Sequence, residues 1–335
     1  MEEIIKKSIV DFGEQRGKPY SQATIKIYLS NIRNLFIMVN GDNKPFDSLD
    51  WLSDFKVIEE TVEHLKPTTR RNYFNSVLVA LHSQKPKNEM LIKYYEGKRD
   101  VLNWNAGRQM ARTGRTDKQR EIMEKVSKSN IDALITSIDP VKIKGNHYDL
   151  MMYLVLQIHR LYPLRNELAD MKIIKRRQLN AMSKEAQLDG NWLLLDATGK
   201  TGIFILNKYK TSKVYGSKHI QVDASIMPII RLFLRSRNIN LQDIQGDNMP
   251  PLLSYNNGNP LSRNALSHKL SEFTKAHLGS PISTTLLAKY YSHRIEDIDN
   301  MTDEEIKAIQ KESEIRGHSL NTHLTNYSQK GGKNN

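Results

Sequence analysis

The segment RGHSLNTHLTNYSQK, residues 316–330, places His318 directly after a glycine and Tyr327 nine positions after that histidine. A tyrosine hydroxyl is a possible nucleophile for covalent catalysis. A histidine held at fixed separation from it is a possible stabiliser of the charge that develops. The same spacing also suits a surface turn followed by a short amphipathic turn of helix. Two further polar residues stand at element borders. Arg165, in LYPLRNELADM, lies just past a helix that Pro163 should end, and Lys210, in YKTSKVYGSKHI, lies where a strand runs into a turn. Singly, each has an ordinary structural role: surface ion pairing for the arginine, solvation for the lysine, packing for the histidine and the tyrosine.

The chain that must position them has 335 residues, long enough for two domains. It carries 50 Lys and Arg against 37 Asp and Glu, a formal net charge of +13, and a pI near 9.6. Such an excess attracts polyanions, nucleic acid first among them. A membrane surface is the competing partner, but the sequence has no run of 18 apolar residues and no polybasic block beside a hydrophobic helix. The opening MEEIIKKSIVDFG lacks the charged-then-apolar pattern of a signal peptide. Without cysteine there is no disulfide, no thiolate nucleophile and no Cys-type zinc site. These features lead to the expectation of a soluble intracellular protein located wherever its DNA is, with no membrane partner and no metal.

The first hundred residues read as helices. Ile25, Tyr28, Leu29, Ile32, Leu35 and Phe36 form one apolar stripe over 21–39, with Ser21 as its cap. Over 66–84 the stripe is Tyr73, Val77, Leu78 and Leu81, and Pro67 suits a first helical position. Arg70 and Arg71 then fall in the first turns of that helix, where a phosphate could sit or where they simply face solvent. From 108 to 128, basic residues outnumber acidic ones, and Arg108, Arg112 and Arg115 stand in a stretch poor in apolar residues. It reads as an interdomain linker that becomes helical near Lys118 and could follow a DNA backbone.

Beyond it the pattern changes. Residues 147–163 predict a strongly apolar helix, and NWLLLD (191–196), GIFILN (202–207) and KHIQVD (218–223) predict three short strands. Helices resume over 225–237, 261–278, 283–295 and 301–315, the last opening with Thr302 and Glu305 at capping-box spacing.

Arg165, Lys210, the hydroxyl-led helix STTLLAKYY, and RGHSLNTHLTNY with His318 and Tyr327 occur in an order that resembles the tyrosine recombinases, the phage-integrase class of DNA strand-transfer enzymes. The resemblance covers nearly the whole chain. It implies a two-domain clamp, mainly α, with a small three-stranded antiparallel sheet in the catalytic domain. The expected domains are a helical DNA-binding domain over 1–106, a basic linker over 107–128 and a catalytic domain over 129–335.

What the resemblance implies for chemistry is site-specific strand exchange through a 3′-phosphotyrosyl bond, with no cofactor. Tyr327 is then the nucleophile, Arg165 the clamp on the nonbridging oxygens, Lys210 the general acid with Lys213 as its understudy, and His318 a donor to a nonbridging oxygen. Glu167 is expected to buttress the arginine. The family's second arginine, usually in His-x-x-Arg, aligns with Ala288, and the histidine of that motif with Thr285. On a continuous helix, Lys289 points about a quarter-turn from residue 288 and Arg294 about 240° around, so neither replaces it. The chain as written is therefore expected to cleave poorly, whether as a natural degenerate or through an introduced substitution. Expected partners are duplex DNA with paired recombination sites, a homodimer on one site and a homotetramer in synapsis, in the service of a virus or mobile element. The alternatives are a telomere-resolvase or type IB topoisomerase-like enzyme, a non-catalytic DNA-binding relative, and an RNA-binding helical protein. An aromatic content of 7% and the lack of an aromatic RNA-binding strand count against the last.

Overall fold

The computed structural model separates into two compact units, residues 1–112 and 113–335. It describes the chain except residues 1, 43, 114, 293, 296–300, 318, 321, 323, 325–328 and 331–335. For 108–113, 294–295 and 329–330 it describes the backbone alone.

Unit 1 is helical. Its elements are α1 (Glu2–Gln15), α2 (Gln22–Asn40), α3 (Phe55–Glu63), α4 (Pro67–Ser83) and α5 (Glu89–Thr113). Ser21 caps α2 by accepting from the Thr24 amide at 3.1 Å, and Pro67 opens α4. The apolar faces form two clusters. Ile5, Ile9, Ile25, Leu29 and Ile32 pack in one, and Leu52, Ile58, Phe74, Leu78 and Tyr95 in the other. The basic stretch after residue 107 is not an irregular connector at first: α5 carries it in helix to Thr113.

Unit 2 begins with α6 (Asp117–Lys125), α7 (Lys128–Ser137) and α8 (His147–Leu161), continues through α9 (Arg176–Ala181), α10 (Lys184–Leu188) and α11 (Ser212–Tyr215), and ends with α12 (Met227–Ser236), α13 (Arg263–Leu278), α14 (Thr284–Tyr291) and α15 (Asp303–Arg316). Leu150 through Leu156 are all buried, so α8 is covered on every side, as its all-round apolarity requires. It stops at Leu161 because the residue before Pro163 is disfavoured in helical conformation.

The sheet corrects the expectation of three antiparallel strands. It has four, β1 (Met171–Lys175), β2 (Asn191–Leu195), β3 (Gly202–Leu206) and β4 (Lys218–Gln221), in that order, and β1 runs parallel to β2. The other two pairings are antiparallel. β1 escapes sequence reading because a parallel partner needs a crossover, here through α9 and α10, and no hairpin turn marks it. Alternate side chains of the sheet enter two cores. Leu193, Leu195, Phe204 and Leu206 join the main one, while Trp192, Leu194 and Ile205 face the smaller one on the other side.

A second correction concerns α14. The predicted helix over 283–295 ends at Tyr291, because Ser292 turns out into extended backbone and its hydroxyl donates to the Ala288 carbonyl at 2.7 Å. Residues Arg294–Ile295 form a short strand, β5, parallel to Gln329–Lys330, β6. Arg294 is therefore not on the surface of α14, and the helical-wheel position expected for it does not exist.

Candidate active site

Arg165 stands in the turn that follows α8. Its amide donates to Glu167 Oε2 at 2.8 Å, and its carbonyl faces Nε2 of His159 at 3.3 Å. His159 is fully buried, and Nδ1 lies 2.9 Å from the Val155 carbonyl one helical turn back. Burial holds this imidazole below its ordinary proton affinity, against the pull of the two carbonyls, with the nearby Arg316 charge adding to burial. Glu167, only 4% exposed, thus buttresses the backbone of Arg165 through the amide. The guanidinium is left with Nη1 buried and without a hydrogen-bond partner among the described residues.

The hairpin insert between β3 and β4 lies at the same place. Asn191, 2% exposed, anchors its start: the side-chain oxygen accepts from the amides of Asn207 and Lys208, both at 2.9 Å, and the side-chain nitrogen donates to the Lys208 carbonyl at 3.0 Å. Lys210 and Lys213 project from this insert and are exposed. Lys218, at the start of β4, is half-buried. Burial first, then the Arg165 charge, bring its proton affinity down to about 8, and Glu167 and Glu314 act in the opposite direction.

The C-terminal end of α15 completes the cluster. Arg316, 2% exposed, donates from Nη1 to the Pro163 carbonyl at 3.0 Å. Thr211 Oγ1 donates to the Gly317 carbonyl, and Lys218 Nζ donates to the Glu314 carbonyl. The Arg165 turn, the Lys210 hairpin and the Gly317 turn are distant in sequence, and these contacts bring them together. His318 and Tyr327 lie outside the described residues. In the chain, His318 follows Gly317, and Tyr327 precedes β6 by two residues.

On α14 the arrangement differs from expectation. Thr285 is exposed. The hydroxyl that reaches the Arg165 turn is that of Thr284, which donates to Asn166 Oδ1 at 2.6 Å. Ala288 has no exposed surface, so residue 288 does not turn toward open space, and an arginine there would have to displace packed neighbours. Lys289 is also buried, and its ammonium donates to Gln119 Oε1 at 3.0 Å. Burial, then the charges of Arg115 and Arg316, lower its proton affinity to about 8. Tyr290 and Tyr291 are packing residues. Their hydroxyls donate to the Val126 carbonyl at 2.7 Å and to Asp132 at 2.8 Å.

The cations singled out in unit 1 are half-buried at the start of α4: Arg70 and Arg71. A groove of about 830 Å³ in the same unit is lined by Arg16, Asn31, Asn72, Asn75, Lys87 and Arg99, none of them singled out by the sequence reading. The side chains of Arg108 and Arg112 lie outside the described residues, and Arg115 is half-buried beside Lys289 and Tyr290. Asn191, Thr211, Lys218, Thr284 and His159 were also not identified from sequence. Their importance rests on contacts across the fold, and no spacing signals it. Among the described residues no cluster of His, Asp or Glu could hold a metal ion, and no helix is long and apolar enough to cross a membrane.

No family model and no curated protein matches this chain. Solved structures do. The XerA recombinase crystal structure matches at 12% identity and a TM-score of 0.39, over 96% of this chain and 93% of that one. The integrase of transposon Tn1549, in complex with transposon right end DNA, matches at 14% identity and a TM-score of 0.48, over 97% of this chain and 94% of that one. At these values the likeness assigns no residue a role.

Proposed function

We propose that this protein binds duplex DNA and breaks and rejoins it by transesterification, as a site-specific recombinase of the tyrosine type, serving a virus or other mobile element. The observation that carries the reading is the convergence of the Arg165 turn, the Lys210 hairpin and the Gly317 turn that leads into His318, with the Arg165 charge felt at Lys218 and one nitrogen of its guanidinium without a hydrogen-bond partner among the described residues.

In this reading the Tyr327 oxygen loses its proton to water as it attacks the phosphorus of a backbone phosphate, the bond to the 5′ oxygen breaks, and a 3′-phosphotyrosyl ester retains the bond energy. Arg165 binds the nonbridging oxygens with a planar fork. His318 donates to one of them, and Lys210, from its exposed hairpin, supplies the proton that the leaving 5′ oxygen takes up. Such a site needs charge stabilisation more than covalent help from the protein. Protomers pair on one site and assemble four together when two sites are brought into synapsis. Unit 1 and the basic run from Arg108 to Arg115 follow the phosphate backbone.

A cleavage defect follows only if Ala288 is the vacated position of the second arginine. Arg294 and Arg316, the latter donating from Nη1 to the Pro163 carbonyl, are the next candidates for the second cation if residue 288 is not that position.

The test is covalent capture on duplex DNA. A randomised duplex library selects the bound sequence, and a version of it nicked beside the cleavage position traps the adduct. Wild-type protein should yield a 3′-phosphotyrosyl adduct that Tyr327→Phe abolishes while duplex affinity stays nearly the same. Adducts that persist in the Phe variant, or that map to Tyr290 or Tyr291, would overturn the assignment. Binding without any adduct would identify a non-catalytic DNA-binding protein.

A further inference from the structure

The last turn of α15 ends in carbonyl groups that have no donor within the helix, at the negative end of the helix dipole. Lys218 supplies the cation. Its Nζ donates to the Glu314 carbonyl, lies 3.4 Å from that of Ile315, and sits 4.4 Å from the centre of the Tyr209 ring and 5.6 Å from that of Tyr215. Tyr209 is itself fixed, because its hydroxyl donates to the Gly216 carbonyl at 2.7 Å. One residue past α15, Gly317 adopts φ 66°, a left-handed conformation, and its carbonyl accepts from Thr211. A Cβ on Gly317 would stand 2.6 Å from Tyr209 Cε2 and 2.8 Å from both Lys218 Nζ and Thr211 Oγ1. The hairpin and the turn therefore meet with no room for a side chain between them.

Lys210 immediately precedes Thr211, and His318 immediately follows Gly317. The Thr211–Gly317 hydrogen bond thus ties the hairpin that carries Lys210, the proton donor of the proposed reaction, to the turn that ends α15. We infer that Thr211 and Lys218 are positioning residues: they clasp the hairpin onto the C-terminal turn of α15 and so fix how Lys210 is presented to the scissile phosphate. The inference rests on the recombinase reading above. It adds a device by which an exposed lysine on a long insert is held against the end of another element. A displacement of about 1 Å in such an arrangement costs on the order of a hundredfold in rate, so loss of the clasp should be visible in chemistry before it is visible in binding.

The variants are Thr211→Val and Lys218→Met, with Thr211→Ser and Lys218→Arg as the conservative counterparts. The readout is the single-turnover rate of adduct formation on the nicked duplex, with duplex affinity measured in parallel. Thr211→Val and Lys218→Met should each slow adduct formation by about tenfold or more and leave affinity within about twofold. Thr211→Ser should restore the rate because it keeps the hydroxyl. A second substrate, with the leaving 5′ oxygen replaced by sulfur, needs no proton on departure, since a thiolate is a far better leaving group than an alkoxide. On it the Thr211→Val defect should shrink if the hydroxyl acts through the placement of Lys210, and a merely structural defect would persist unchanged. Equal rates for wild type and Thr211→Val, or an undiminished Thr211→Val defect on the sulfur substrate, would overturn the inference and leave the recombinase reading intact. Absence of any adduct from the wild-type protein would overturn both. If Lys218→Met does not fold, the Thr211 pair decides alone.

Discussion

Unit 1 and unit 2 bury their apolar residues in different ways. In unit 1 the apolar residues divide between two small clusters, Ala80 of α4 joining α1 and α2 in one and Leu35 of α2 joining α3, α4 and α5 in the other, and aromatic rings close the second: Phe55 stacks on Tyr94 at 3.9 Å, and the Tyr95 hydroxyl donates to the Leu52 carbonyl at 2.8 Å. In unit 2 one continuous core surrounds α8 and one face of the sheet. The difference matters for function. A helix buried on all sides is a rigid base, and Arg165 stands directly beyond its end. Among the described residues unit 1 has no such all-round-buried helix: Arg70 and Arg71 stand at the start of the 17-residue α4.

That contrast is sharpest if the two sets of arginines fail in different ways. Arg165→Ala should reduce adduct formation by roughly a hundred- to a thousandfold, the cost of removing one preorganised donor, about 2.7–4 kcal/mol, with duplex affinity little changed. Arg70→Ala combined with Arg71→Ala should weaken binding and lower the log–log salt slope by about 0.9 for each phosphate that is no longer neutralised, with the rate of the bound complex unchanged. Single-turnover rates and salt titrations separate the two outcomes. If Arg165→Ala chiefly weakens binding, the division of labour between the units is wrong.

The next difference is in stability. Leu154→Ala, at the fully buried centre of α8, should cost about 2–5 kcal/mol. Tyr95→Phe keeps the ring in unit 1 and strips only the donor to the Leu52 carbonyl, which should cost about 1–3 kcal/mol. Urea unfolding curves check the order, and a larger loss for Tyr95→Phe would mean that unit 1 depends on its polar ring ends more than unit 2 depends on its core.

The smallest effect is on pH dependence. Lys218 and Lys289 both have proton affinities lowered to about 8 in the folded chain, against about 10.4 for an unfolded lysine. Between these values the unfolded chain binds protons that the folded chain has released, so stability should rise from pH 8 toward pH 10. Above that, the sign reverses. Burial pushes Tyr290 up to about 12, and the unfolded tyrosine, which ionises near 10, then releases its proton first. Lys289→Met should flatten the rise between pH 8 and 10 in a series of urea titrations, and an unaltered rise would assign it to other groups.

The sequence alone determined the helical stripes of unit 1, the cap at Ser21, the end of α8 ahead of Pro163, three of the four strands of the larger sheet and the capping box at Thr302. These depend on neighbours a few residues apart, where periodicity and cap chemistry are legible. It also singled out Arg165, Lys210, His318 and Tyr327 as residues whose types and order could do chemistry. Only the tertiary structure decided what surrounds them. The parallel strand β1 carries no turn signal, and α14 stops where a serine hydroxyl competes for a carbonyl. Thr284 rather than Thr285 faces the Arg165 turn, and Lys218 meets α15 across 96 residues of chain. Such contacts depend on where the core places whole elements, and local spacing does not encode that placement.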